Sequence, residues 1–185
     1  MKIGVISDTH GSVEIWKDVF QKFFHDTDLI IHAGDVLYHG PRNPILEDYN
    51  PAALVEELNH CSIPIHIAKG NCDSEVDAMV LNMPLQAPYV YLVIEGKRIL
   101  VTHGHLFNDE EKVALAKQLK VDIFISGHIH VNVLGKINDT IFLNPGSPSM
   151  TKRIDKKATI AIIDNDKIAI KDIITQETVL EMPLI

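Results

Sequence analysis

The chain opens with a short run of β-branched residues, Ile3, Val5 and Ile6, which predicts a buried strand. Apolar residues then recur with helical spacing over residues 12–24, and a second apolar run follows at residues 28–33. A strand, a helix and another strand within roughly 30 residues form a βαβ unit. The first two strands are therefore predicted to be parallel, with their carboxyl ends at one edge of a sheet.

The rest of the pattern predicts further strands, many of them joined by short turns. Helices are predicted over residues 51–59 and 110–119, with a helical turn or two over 75–81. The breaker-rich residues 36–50 are predicted to be an irregular loop. The other predicted strands are residues 64–68, 89–95, 98–102, 123–126, 131–137, 140–143, 158–163, 168–174 and 178–182. Gly96-Lys97, between two of these runs, predicts a hairpin turn of type II′.

Length and composition restrict the class of protein. The chain has 46% hydrophobic and 23% charged residues, typical of a globular protein, and residues 1–185 fit a single domain. The formal net charge of −8 disfavours nucleic acid as a partner, except as a short substrate. No apolar run reaches the roughly 18 residues of a membrane span, so no membrane partner is expected. The two cysteines lack disulfide or metal-knuckle spacing, which favours a cytoplasmic location.

Five of the predicted strands end in residues that bind metals in proteins. Asp8 and His10 follow the first strand, and similar residues follow later ones. The complete set is Asp8, His10, Asp35, Asn71, His103, His128 and His130. These two carboxylates, four imidazoles and one amide suit divalent transition ions. Seven donors exceed the needs of one ion, so the set predicts two ions that share a bridging carboxylate.

The order of these residues resembles the signature of the calcineurin-like metallophosphoesterases. The matching blocks are Asp8-x-His10, Gly34-Asp35, Gly70-Asn71, Thr102-His-Gly-His105 and Gly127-His-x-His130. The Gly-Pro-Arg-Asn loop at 40–43, the block at 70–75 and the short length resemble the YfcE type of manganese-dependent bacterial phosphodiesterase. The resemblance implies an α/β (α+β) four-layer sandwich, in which two mixed β-sheets pack face to face with helices outside.

The resemblance also implies which residues hold each ion. Asp8, His10 and His130 would bind one ion, Asn71, His103 and His128 the other, and Asp35 would bridge them. Manganese is the implied metal, and iron or zinc also suits these donors. Two divalent ions beside two carboxylates leave about two positive charges, which would attract a phosphate ester. The ions would also lower the pKa of a bridging water, so that hydroxide is available as the nucleophile.

Three residues are candidates for a direct catalytic role: Asn71, Cys72 and His105. In many relatives the residue after the asparagine is a histidine that protonates the leaving oxygen, whereas this chain has Cys72. A free thiol is a weak acid with a pKa of about 8.5. We therefore expect substrates with acidic leaving groups, such as aryl diesters, to turn over best. A filler role for Cys72 and plain solvent contact for His105 are the alternatives.

The irregular loop supplies candidate substrate-binding residues, His39, Arg42 and Asn43. An arginine offers a planar, bidentate fork that matches a phosphate group. A purely structural loop is the alternative interpretation. Lys152, elsewhere in the chain, is expected to be an ordinary solvated charge.

The sequence as a whole predicts a dinuclear-metal hydrolase of small-molecule phosphate esters, acting on diesters more readily than on monoesters. A phosphomonoesterase that uses the same site is one alternative. A non-catalytic, protein-binding scaffold is another, since the vacuolar-sorting subunit of retromer has this fold with a metal site that departs from the catalytic pattern. The apolar, β-rich C-terminal region would offer an interface for a homo-oligomer.

Overall fold

The computed structural model describes residues 1–184 and contains two β-sheets with helices on their outer faces. The strands are β1 (Ile3–Ile6), β2 (Leu29–His32), β3 (Ile65–Ala68), β4 (Leu85–Gln86), β5 (Val90–Ile94), β6 (Lys97–Val101), β7 (Ile123–Ile125), β8 (Val133–Ile137), β9 (Thr140–Asn144), β10 (Thr159–Ile163), β11 (Lys167–Asp172) and β12 (Thr178–Pro183). The helices are α1 (Val13–Val19), α2 (Pro51–Asn59), α3 (Glu75–Val80) and α4 (Asp109–Gln118). The helix predicted over 51–59 is confirmed at both ends.

Both sheets are mixed. The seven-stranded sheet has the order β12-β11-β10-β1-β2-β3-β4, in which β1 to β4 are parallel and β10 to β12 are antiparallel. The predicted parallel pairing of β1 with β2 is confirmed, with Ile3 opposite Leu29. The five-stranded sheet has the order β5-β6-β7-β9-β8, and its three central strands are parallel.

Alternate residues of β1 face two different cores, because successive side chains of a strand point to opposite faces. Ile3 and Val5 pack between the two sheets, whereas Ile6 lies in the core beneath the helices that follow. Gly4 faces these helices as well, and a side chain there would collide with the ring of Phe24. Because both faces of the strand are covered, the run is continuously apolar rather than alternating.

The second sheet has an outer layer of its own. Leu100 of β6 and Phe124 of β7 pack against Ala116 of α4 in a separate small core. The molecule therefore has the four layers predicted from the sequence, with helices on the outside of each sheet. None of the helices in residues 1–184 is long and apolar enough to cross a bilayer.

Three local features differ from the sequence-based predictions. The 89–102 hairpin turns at Glu95 and Gly96, both with positive φ, which defines type I′ rather than type II′. The helix predicted over 12–24 widens after Val19 into a π-helical turn, Phe20–Phe24, in which the N–H of His25 donates to the carbonyl of Phe20. Strand β4 was not predicted, because two residues are too short to show a period.

Candidate metal centre

The predicted ligands come together where β1, β2, β3, β6 and β7 end, so the two sheets contribute to one site. Five of the seven have a positive φ, a conformation that residues other than glycine rarely adopt. Their φ angles are 57° for Asp8, 48° for His10, 57° for Asp35, 73° for His128 and 57° for His130. Such strain persists only where the surrounding structure holds it, and it is concentrated at functional sites.

Two glycines allow the loops to approach the carboxylates closely. A side chain at Gly70 would collide with the backbone and carboxylate of Asp35, and one at Gly127 would meet Ser7 and the carboxylate of Asp8. Glycine is therefore required at these two positions because a side chain would collide with the carboxylates, and not only because the chain turns there.

Three of the imidazoles are oriented in the same way, because each donates its Nδ1–H to a backbone carbonyl. The pairs are His10 with Tyr38 at 2.8 Å, His103 with Ala33 at 2.8 Å, and His130 with Met150 at 2.7 Å. A carbonyl oxygen only accepts, so these contacts place the proton on Nδ1 in the neutral ring. Each Nε2 lone pair is then directed into the site, as in histidines that bind metals.

The first predicted ligand set, Asp8, His10 and His130, is brought together. Their ligand atoms all lie within 4.8 Å of one another. The Nε2 atoms of His10 and His130 are 3.2 Å apart, and Oδ1 of Asp8 lies 3.2 Å from Nε2 of His130. Two neutral Nε2 lone pairs at this separation repel each other unless a cation or proton lies between them.

Asp8 is fixed through one oxygen and leaves the other free. Its Oδ2 accepts hydrogen bonds from the hydroxyl of Ser7 at 2.6 Å and from the N–H of His128 at 3.0 Å. Its Oδ1 is buried and has no hydrogen-bond partner in the described residues. Burial raises the pKa of Asp8, but the neighbouring imidazoles of His130 and His103 outweigh it and hold the pKa below its ordinary value. An ionised, unpartnered oxygen in a buried site fits a metal ligand.

Asp35 lies between the two predicted ligand sets. Its Oδ1 accepts from the N–H of Cys72 at 2.8 Å. Its Oδ2 lies 3.2 Å from Nε2 of His103 and 3.9 Å from Nε2 of His10. Although burial alone would raise it, the pKa of Asp35 is well below its ordinary value, chiefly because of His103. These positions suit a bridging carboxylate.

His103 shows that the site favours positive charge. Burial lowers its pKa, but the hydrogen bond to Asp35 and the negative charge of Asp8 outweigh burial and raise the pKa to about 9. Nε2 of His103 also lies 3.1 Å from Oδ1 of Asn71, the predicted amide ligand. The two carboxylates therefore favour a positive charge at this point of the site.

The remaining two histidines of the site are held less closely. The ring of His128 lies at 5.1 Å from the ring of His103, and His128 belongs to none of the tight ligand clusters in residues 1–184. The ring of His105 lies 5.4 Å from that of His103, with its Nδ1 buried and unpartnered among the described residues. The second predicted ligand set is therefore assembled around His103 and Asn71, with His128 at its rim.

Cys72 lies beside the candidate ligands His10 and Asp35. Its Sγ forms a cluster with His10 and Asp35 in which the ligand atoms are within 4.8 Å of one another. Burial, together with the negative charge of Asp35, raises the pKa of the Cys72 thiol to about 12. The thiol is thus protonated near neutral pH, which removes the thiolate needed for nucleophilic attack.

A cavity of about 1000 Å³ opens over these residues. Arg42 and Asn43, two of the candidate substrate-binding residues of the loop, line it. Lys152, which was expected to be only a solvated charge, lines it as well. His39 is not among the described residues that line the cavity. Its ring lies against Tyr38 at 4.6 Å and Tyr49 at 5.1 Å.

Asp73 was not among the residues predicted for the site, but it fixes the backbone of the loops that carry them. Its Oδ1 accepts from the N–H of Val36 at 2.7 Å. Its Oδ2 accepts from the N–H groups of Asp35 at 2.9 Å and Gly70 at 2.7 Å. Burial raises the pKa of Asp73, although these three hydrogen bonds oppose the rise. The carboxylate joins the loop after β2 to the loop after β3.

Comparison with known proteins agrees with this geometry. Residues 1–167 match the Calcineurin-like phosphoesterase superfamily domain. The chain is 37% identical over 171 residues to Phosphodiesterase YfcE of Escherichia coli strain K12, covering 92% of this chain and 91% of that protein. The chain therefore belongs to the calcineurin-like phosphoesterase superfamily.

Solved structures lead to the same assignment. The structure of YfcE, a phosphoesterase from E. coli, superposes with a TM-score of 0.89 and 33% identity, covering 100% of both chains. The structure of Vps29 with Zn²⁺ from Entamoeba histolytica has a TM-score of 0.69 and 19% identity, also covering 100% of both chains. At that identity, the similarity to Vps29 concerns the fold alone. The divalent metals of this family match the oxygen and nitrogen donors gathered in the cavity.

Proposed function

We propose that this protein is a metal-dependent phosphodiesterase. The observation that carries the proposal is the convergence of three imidazole Nε2 atoms on two buried carboxylates, of which Asp8 leaves its Oδ1 without a hydrogen-bond partner among the described residues. The similarity to the E. coli phosphodiesterase over 92% of the chain supports the choice of diesters.

The proposed ligands are those predicted from the sequence. Asp8, His10 and His130 would hold one divalent ion, and Asp35 would be shared with a second. His103, Asn71 and His128 would hold the second ion; the ring of His128 lies 5.1 Å from that of His103. Manganese is our first choice of metal, and iron or zinc suits the same donors.

When bound, two such ions supply a water molecule of lowered pKa as the nucleophile and offset the charge that develops on the phosphoryl oxygens. The chain's own residues do the remaining work. Arg42 and Lys152 lie on the cavity wall, where their positive charges attract and orient the monoanionic diester. Cys72 lines the same cavity with a thiol of raised pKa, which is a weak proton donor, so the leaving group would depart with little help from an acid.

The test is hydrolysis of bis(p-nitrophenyl) phosphate under a panel of metals, with metal content measured on the purified protein. Asp35→Ala should lower kcat/KM about a thousandfold, since it removes the carboxylate between both ligand sets. Asp139→Ala, at an exposed position in the β8–β9 turn, is the matched control and should leave activity unchanged. Asp35→Asn keeps the shape of the side chain, and thermal unfolding of both variants separates loss of function from loss of fold.

The same panel tests the alternatives. A higher kcat/KM on p-nitrophenyl phosphate than on the diester would make the protein a phosphomonoesterase. Metal bound without turnover of either ester would favour the non-catalytic scaffold. Vps29 shares the fold with this chain, and this similarity concerns the architecture alone. Absence of bound metal after exposure to excess manganese would contradict the proposal outright.

A further inference from the structure

A second concavity, of about 760 Å³, opens beside the metal cavity. We call it the apolar groove, since its wall includes Tyr49, Val55, Val76 and Val80. The two spaces are adjacent, because Tyr38, Cys72 and Ser74 line both of them. Cys72, which follows the proposed ligand Asn71, therefore lies where the groove meets the metal cavity.

One wall of the groove is the short helix α3, which presents apolar side chains to solvent. Val76 is 63% exposed, Val80 is 44% exposed, and no residue of α3 is buried. The helix is held instead by polar contacts at its ends. Ser74 and Asp77 form a capping box, and the side chain of Asn59 donates to the carbonyl of Val80. These valines therefore contribute little to the core, and their exposure is unexplained by folding.

The charges around the groove indicate what it would accept. Among the described residues of its wall, the ionised side chains near neutral pH are Glu56 and Asp77, both acidic. The basic residues Arg42 and Lys152 line the metal cavity instead. A further phosphate or carboxylate would be repelled from the groove, whereas an uncharged apolar group would be accepted. Two tyrosine rings in the wall favour a flat, aromatic group.

We propose that the apolar groove binds an uncharged aromatic substituent of the phosphate ester and so determines which esters are preferred. This inference rests on the proposed function, because the phosphoryl group must lie in the metal cavity. A volume of about 760 Å³ is well within the range of pockets that bind small molecules. The residues that determine the preference are Tyr38, Val55, Val76 and Val80, none of which is a proposed metal ligand.

The test compares two competitive inhibitors, phenylphosphonate and methylphosphonate, which differ only in the aromatic substituent. Burial of the ring should make phenylphosphonate bind about tenfold more tightly to the metal-loaded protein. In the double variant Val76→Ser/Val80→Ser this ratio should fall to about two or three. Met79→Ser is the matched control, since Met79 lies on the same helix but outside the groove wall, and the ratio should stay unchanged.

A second readout does not depend on turnover, and its first measurement needs no metal. Phenol, which carries the ring without an anion, should shift the methyl NMR signals of Val55, Val76 and Val80 in the metal-free protein. Zinc-loaded protein with phenylphosphonate should give the same shifts, and methylphosphonate should not. These shifts distinguish a failure of the groove assignment from a failure of the proposed hydrolysis.

Three results would overturn the inference. One is an inhibitor ratio that is the same in the wild type and the double variant, and a second is methyl shifts confined to other valines. The third is a change of oligomeric state in Val76→Ser/Val80→Ser by sedimentation, which would show that a second copy of the chain covers the groove. The substituted positions are exposed and leave the Ser74 cap in place, so the double variant is expected to fold.

Discussion

The candidate metal centre, on the ligand side, and the apolar groove beside it, on the wall side, are built differently. On the ligand side, the side chains of Asp8, His10 and His103 are fully buried, and their backbone and ring positions are fixed by hydrogen bonds. On the wall side, Tyr38 is 41% exposed and Val76 is 63% exposed, and α3 depends on its caps. The ligand side is thus over-determined, whereas the wall is held by a few local contacts.

This difference separates chemistry from selectivity. Strained ligand residues need many partners to stay in place, and each lost partner should affect both stability and metal affinity. Exposed wall residues can change at little cost in stability, so substrate preference can vary without disturbing the metal centre. Substitutions on the two sides should therefore differ in what they change.

Asp73→Ala should have the largest effect, because it leaves three buried backbone N–H groups without acceptors. We expect a loss of about 3–5 kcal/mol in the free energy of unfolding. Metal affinity should fall about 10- to 100-fold, since the loop that carries Asp35 is no longer held. Urea unfolding and metal titration measure the two effects.

The neighbouring substitution Ser74→Ala sharpens the comparison. It removes the cap of α3, on the wall side, and should cost only about 1 kcal/mol of local stability. Metal affinity should not change. An equal loss of metal affinity in Asp73→Ala and Ser74→Ala would contradict the separation of the two sides.

His32 should make the metal-free protein sensitive to acid. Burial lowers its pKa to about 3, and its ring is held neutral between the N–H of Gly34, which donates to Nδ1, and the hydroxyl of Thr9. The unfolded chain gains this proton below about pH 6.5, whereas the folded chain does not until about pH 3. The free energy of unfolding should therefore decrease as the pH falls through this window, by up to about 1.4 kcal/mol per pH unit.

The measurement is urea unfolding of metal-free protein between pH 7 and pH 4. His32→Asn keeps an acceptor for Gly34 without a group that titrates, so it should flatten the slope relative to the wild type. His60→Asn, at an exposed position at the end of α2, controls for the loss of one histidine. Parallel curves for the wild type and His32→Asn would show that other groups carry the acid sensitivity.

The effect of Cys72→His should depend on the substrate. A thiol with a pKa of about 12 is a poor acid. The alkoxide leaving group of an alkyl diester should therefore depart slowly in the wild type. An imidazole there should raise kcat/KM on alkyl diesters by about tenfold and change aryl diesters little. Cys72→Ser, which adds no better acid, is the control. Equal responses of alkyl and aryl diesters would contradict the hypothesis that leaving-group protonation is limiting.

Much of this centre could be predicted because its signals are local. Asp8 and His10 follow a buried strand within a few residues, and the same is true of Asp35 after β2. The parallel pairing of β1 with β2 then required no long-range information, since the intervening helix determines it. The turn at Glu95 and Gly96 was misjudged because a shift of one residue changes the turn type while leaving the hairpin intact.

The sequence alone thus determined the pairing of the first two strands, the candidate ligands and their place at strand ends. Only the tertiary structure decided the direction of each lone pair. His103 is oriented by the carbonyl of Ala33, 70 positions away, and His10 by that of Tyr38, 28 positions away. A backbone carbonyl is present at every residue, so no side-chain pattern marks which one will be a partner. The sequence pattern did not predict the apolar groove either. The valines of α3 share its wall with Tyr38 and Val55 only because the sheet places their loops side by side.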